Sequence, residues 1–123
     1  MLKEIEKQLE TLYRAYEDGD ALGIQTHMYL EGEPINFRFY QEDSKYSRLV
    51  THPNFSNWMA ACTGDWKKAG PIIDTLAKPY GAAWDSENGA LYLRFRRNEM
   101  TLAQAVTRLQ QAVAVVCALD TIA

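Results

Sequence analysis

The chain has 123 residues, 47% hydrophobic and 24% charged, with a net charge of −3. That suits one globular domain, residues 1–123, able to bury a core without disulfide or metal staples. No apolar run nears the roughly 18–20 residues that span a bilayer. Met1-Leu2-Lys3-Glu4-Ile5-Glu6-Lys7 also lacks the apolar stretch of a secretion signal, so a cytoplasmic protein with no membrane role is expected. The charge is uneven: residues 1–43 hold ten acids and four bases, residues 44–123 six acids and nine bases. The acid-rich part reads as a solvated helix and loops, or as a match for a basic partner. Cys62 and Cys117 lie far apart in apolar helical patterns and read as small buried hydrophobes.

In chain order, the first helix is expected over Leu2 to Glu17, where Leu2, Ile5, Leu9, Leu12, Tyr13 and Tyr16 recur at three- and four-residue steps. Gly19 would cap it in the left-handed conformation. Gly23 to Leu30 alternates, with Ile24, Thr26, Met28 and Leu30 on one face and Gln25, His27 and Tyr29 on the other. After the turn Glu31-Gly32-Glu33-Pro34, Ile35 to Tyr40 alternates again, and the two strands should pair as a hairpin. Lys45 to Thr51 reads as a weaker third strand.

Phe55, Trp58, Met59 and Cys62 have helical spacing, closed by Gly64. A second piece runs to about Lys78 with Trp66, Ala69, Ile72, Ile73, Leu76, Ala77 and Tyr80 as its stripe. Asp65 is a good N-cap for this piece; its alternative start is Gly70-Pro71, with proline in the first turn where it is tolerated. A tight hairpin follows: Trp84 lies in its first strand, Leu91, Leu93 and Phe95 in its second, with Asn88-Gly89 in the turn. Thr101 and Gln104 match the capping box of a last helix whose core stripe is Leu102, Ala105, Val106, Leu109, Ala112, Val113 and Val116. The expected class is α+β: a small, mainly antiparallel sheet with helices packed on one face, in the order α-β-β-(β)-α-β-β-α.

Little in the sequence speaks for catalysis. His27 and His52 have no close ligand partner, and the serines lie in no nucleophile elbow. No glycine-rich phosphate loop occurs. The acid pairs Asp18/Asp20 and Glu31/Glu33 flank turn glycines, where acids are common for conformational reasons. Trp58, Trp66 and Trp84 fit core stripes or strand faces. No catalytic residue, metal site or cofactor is therefore expected.

Two surfaces are expected to matter. Val113 to Leu119 is apolar all round apart from one thiol, which suggests a homodimer seam of Val113, Ala114, Val115, Val116, Ala118 and Leu119. Arg38 and Tyr40 share the outer face of one strand, and Tyr92, Arg94 and Arg96 that of another, with Asn36, His27 and Tyr29 facing the same way. Arginine and tyrosine on a sheet anchor protein interfaces and also stack bases and pair phosphates.

The segments Ile24-Gln25-Thr26, Ile35-Asn36-Phe37, Leu49-Val50-Thr51, Tyr80-Gly81 and Gly89-Ala90-Leu91-Tyr92-Leu93, with Gly64 and the Leu109 to Leu119 helix, resemble a family of small uncharacterised bacterial and phage proteins over about residues 20–120. That resemblance implies no activity. Size, acidity, element order and the Trp84 to Leu93 hairpin before an amphipathic helix also resemble the type III secretion chaperones, which implies a dimer holding an unfolded effector segment. The expected function is a non-enzymatic protein-binding module, a homodimeric chaperone or adaptor. Its alternatives are a phage- or immunity-type inhibitor masking a partner protein and, less favoured, nucleic-acid binding through the basic aromatic face.

Overall fold

A computed structural model describes residues 1–9, 13–30, 32–53, 55–57 and 66–118. Leu12, Glu31, Trp58, Met59, Cys62, Gly64, Asp65 and Leu119, named above, lie outside them, as do the side chains of Leu9, Leu30, Glu33 and Trp66. The elements are α1 (Leu2–Leu9), β1 (Arg14–Asp18), β2 (Ala21–Leu30), β3 (Glu33–Gln41), β4 (Tyr46–Thr51), α2 (Trp66–Ala77), a 3-10 turn (Lys78–Tyr80), β5 (Ala83–Asp85), β6 (Ala90–Arg96) and α3 (Leu102–Cys117). The strands form one antiparallel sheet in the order β1-β2-β3-β4-β6-β5. The α+β class is as expected.

Period-two alternation splits the sheet into two faces. Ala15, Leu22, Ile24, Ile35, Phe37, Phe39, Leu49, Leu91, Leu93 and Phe95 turn inward, all at most 7% exposed. The helices cover this side and join the same core through Ile5 of α1, Ile73 and Ala77 of α2, and the α3 stripe. The expected α3 stripe is buried in full. Its capping box forms too: the Thr101 hydroxyl accepts the Gln104 N–H at 3.1 Å, and the Gln104 side chain accepts the Thr101 N–H at 3.0 Å. Two orphan donors at the helix start are thereby satisfied.

The first helix differs from expectation. Its described part is Leu2–Leu9, and Arg14–Asp18, expected in the same helix, is a strand paired with β2. Tyr13 and Tyr16 fit a helical stripe, but Ala15 and Tyr16 fit alternation equally well. Pairing decides between them: β1 occupies the hydrogen-bonding edge of β2, which would otherwise lie unpaired beside the core. Asp18 faces Ala21, so Gly19-Asp20 is a hairpin link, and Gly19 uses its positive φ of 60° there rather than at a helix cap.

Two further differences concern α2. The helix runs from Trp66, in keeping with the start after Asp65, so Pro71 lies inside it and the alternative start at Gly70-Pro71 does not hold. The proline is exposed, so its ring needs no room in the core, and the cost is the backbone bond it cannot donate. Gly70 is buried because Trp84 packs on it: a Cβ there would lie 3.2 Å from the indole Nε1. Ile73 enters the core, but Ile72, assigned to the same stripe, is 56% exposed.

Candidate functional site

The outer face of the sheet is built by register. Tyr16, Gly23, Arg38, Val50, Tyr92 and Ala83 form one row across six strands. Beside it, Tyr40, Arg48 and Arg94 form a second, and Tyr46 and Arg96 a third. All five expected surface residues, Arg38, Tyr40, Tyr92, Arg94 and Arg96, therefore share one face. His27 does not join them. Between Gln25 and Tyr29, β2 carries two residues more than β3. The Thr26 hydroxyl holds this bulge by donating to the Ile35 carbonyl and accepting the Met28 N–H. His27 packs instead on Tyr13, with ring centroids 5.5 Å apart, and the Tyr13 hydroxyl bonds Thr107 of α3 at 2.7 Å.

Each arginine of the face meets both a carboxylate and a ring, or one of the two. Arg38 donates to Asp18 at 3.0 Å. Arg94 donates to Glu42 at 2.8 Å and lies 3.7 Å from the Tyr46 ring centroid. Arg48 reaches the other Glu42 oxygen at 3.8 Å and lies over Tyr40. Arg96 lies over Tyr46 and pairs with Glu99 at 3.7 Å. The carboxylate bonds push the Arg38 and Arg94 guanidiniums further above their ordinary range, so both stay charged. Burial pushes the Tyr16 phenol up and Asp18 adds to this, against Asn36 and Arg38, so Tyr16 stays protonated. Its ring lies on Gly23, where a Cβ would come within 2.1 Å of Cζ.

A hollow of about 890 Å³ opens on this face. Val50, Ala90 and Tyr92 line it together with Tyr40, Arg48 and Arg94, the Asp85 to Asn88 turn, and Pro53, Ser56 and Asn57. That turn is held by Asp85, whose carboxylate accepts the Glu87 N–H at 3.0 Å and the Asn88 side-chain amide at 2.7 Å. The Asn88 amide leads in holding the Asp85 carboxyl below its usual range. Arg38, Arg48 and Arg94 face Glu42, Asp85 and Glu87 around the hollow, so its formal charge balances.

Tyr46 and Arg48 belong to this face but were not singled out in the sequence, and Asp18 and Glu42 join it through their pairs with the arginines. The signal for Tyr46 and Arg48 lay in the alternation Tyr46-Ser47-Arg48-Leu49-Val50, in which Tyr46, Arg48 and Val50 face outward and Ser47 and Leu49 inward. Arg97, next along after Arg96, lies elsewhere. It clamps the β3–β4 turn, donating to the Ser47 hydroxyl at 3.0 Å and to the Tyr46 and Asp43 carbonyls.

The expected helix seam is corrected. Val113 and Val116 are fully buried in the chain's own core and present nothing to a second copy. One helix side cannot face both layers, and the helical period sends positions 109, 113 and 116 inward together. Ala114 and Ala118 are exposed, and Val115 is half-buried. No helix of the described residues is long and apolar enough to cross a membrane. Among the described residues, no cluster of three or more histidines, cysteines, aspartates or glutamates is placed to hold a metal. Family models, curated proteins and solved structures offer no match to this chain.

Proposed function

We propose that this chain is a non-enzymatic protein-binding module that docks its partner on the outer face of the sheet. One observation carries the reading: an arginine–tyrosine face, uncovered by α1, α2 or α3, that encloses a charge-balanced hollow of about 890 Å³. Tyrosine and arginine supply large contact area with directional hydrogen bonding, and they dominate the energetics of interfaces. Stacking on tyrosine and pairing with a carboxylate also hold these arginines in place before a partner arrives, which lowers the entropy cost of docking. A chaperone or adaptor, and an inhibitor masking a partner, are both versions of this reading.

Nucleic-acid binding draws support from the same stacked arginines. It is disfavoured because affinity for phosphate backbones grows with uncompensated positive charge, and here three acids oppose three arginines around the hollow. A homodimer through α3 is proposed only in reduced form, through Ala114, Val115 and Ala118.

The test is affinity capture with the whole chain from lysate of its source organism, at moderate and high salt, in three forms. These are wild type, Tyr40→Ala/Tyr92→Ala and Ala114→Asp/Val115→Asp. Docking on the sheet predicts one protein retained at high salt and lost with the tyrosine variant alone. Loss with the helix variant alone would move the interface to α3. Capture of salt-sensitive nucleic acid alone would replace the reading with the nucleic-acid one.

A further inference from the structure

We infer that the hollow receives an extended peptide segment of mixed charge, with one carboxylate seated between Arg48 and Arg94. This rests on the docking face proposed above and names the partner's chemistry there. Glu42 engages both guanidiniums on their Nε side, at 2.8 Å for Arg94 and 3.8 Å for Arg48. Among the described residues, no other carboxylate forms an ion pair with either guanidinium, and the Tyr40 and Tyr46 rings stack against them. Both ion pairs are made through Nε, and the Arg48 and Arg94 side chains are 44% and 47% exposed. One glutamate thus pairs directly with two arginines, while Asp85 acts on Arg48 and Asp43 on Arg94 only as neighbouring charges.

A guanidinium fork matches a carboxylate with two parallel hydrogen bonds. A doubly charged phosphate would fit less well, because Glu42, Asp85 and Glu87 line the same hollow and repel it more than a single carboxylate. Glu87, on the Asp85 to Asn88 turn that also lines the hollow, offers the opposite sign, where a lysine or arginine of the segment is matched. The apolar surface of Val50, Ala90 and Tyr92 takes an apolar side chain between them.

Panning a random peptide library against the immobilised full-length chain tests this, with selected peptides measured by fluorescence anisotropy. The expected result is enrichment of an acid, an apolar residue and a base in fixed order. Changing the acid to its amide should weaken binding at least tenfold. Arg48→Glu/Arg94→Glu should do the same while the chain still unfolds in one cooperative transition, and a peptide with lysine in place of the acid should regain affinity for that variant. Selected peptides that ignore the arginine variant but are lost with Tyr40→Ala/Tyr92→Ala would overturn the carboxylate seat and leave the docking face standing. Peptides indifferent to both variants, or no selection at all, would overturn both. A preference for a phosphopeptide or an oligonucleotide over the carboxylate peptide would overturn the inference.

Discussion

The two faces of the sheet share every strand backbone yet obey different physics. On the inner face Phe37, Leu49 and Leu93 pack into the core beneath the helices and are 0–1% exposed. On the outer face Arg48, Arg94 and Arg96 are 39–47% exposed and held by ring stacking and carboxylates. Burying apolar surface stabilises by roughly 25 cal/mol per Å², while an exposed ion pair contributes about 0–1 kcal/mol. Stability therefore resides on one side of the sheet, and the other side is at liberty to carry recognition. The alternation of residues lets one strand serve both.

The contrast breaks most visibly by truncation. Phe37→Ala should cost about 3–5 kcal/mol of unfolding free energy, whereas Arg94→Ala on the outer face should cost less than about 1 kcal/mol. Urea denaturation of both variants checks this, and equal losses would refute the division of labour.

Gly23 and Tyr16 give the next largest effect, on the outer face itself. Gly23→Ala forces the Tyr16 ring off the sheet and should destabilise by about 1–2 kcal/mol. In a Tyr16→Ala background the same change should be neutral or stabilising, since alanine suits a strand better than glycine. A double-mutant cycle reads the coupling. Smaller still, Thr101→Ala should cost about 1 kcal/mol by removing the α3 cap, seen as a fall in melting temperature.

The smallest expected effect is on pH dependence. The Tyr46 and Lys45 N–H groups hold the Asp43 carboxyl below its ordinary value of 3.8, and Asn88 does the same for Asp85. Lowered folded pKa values mean that the unfolded chain takes up protons first as acid is added. Their contribution is full above the ordinary aspartate range and fades as pH falls through the folded values. Asp43→Asn should flatten the decline in melting temperature below about pH 4.

Local signals were enough for several elements. The capping box and seven-residue stripe of α3, both long hairpins, and the outward placement of Arg38, Tyr40, Tyr92, Arg94 and Arg96 follow from short-range period and turn chemistry. Each depends on residues within a few positions of one another, and the hydrophobic pattern alone sets which side faces in.

The tertiary structure decided what local pattern left ambiguous. Tyr13 to Asp18 satisfies helical and strand periods alike, and only the open edge of β2 selects the strand. Apolar length at the end of α3 looked like surplus surface, but the sheet consumes Val113 and Val116, leaving a smaller outward remnant. The joining of Arg48 and Arg94 through Glu42 brings together residues up to 52 positions apart. No sequence spacing encodes that meeting. It follows from the β4–β6 register, which hydrogen bonding across the finished sheet sets.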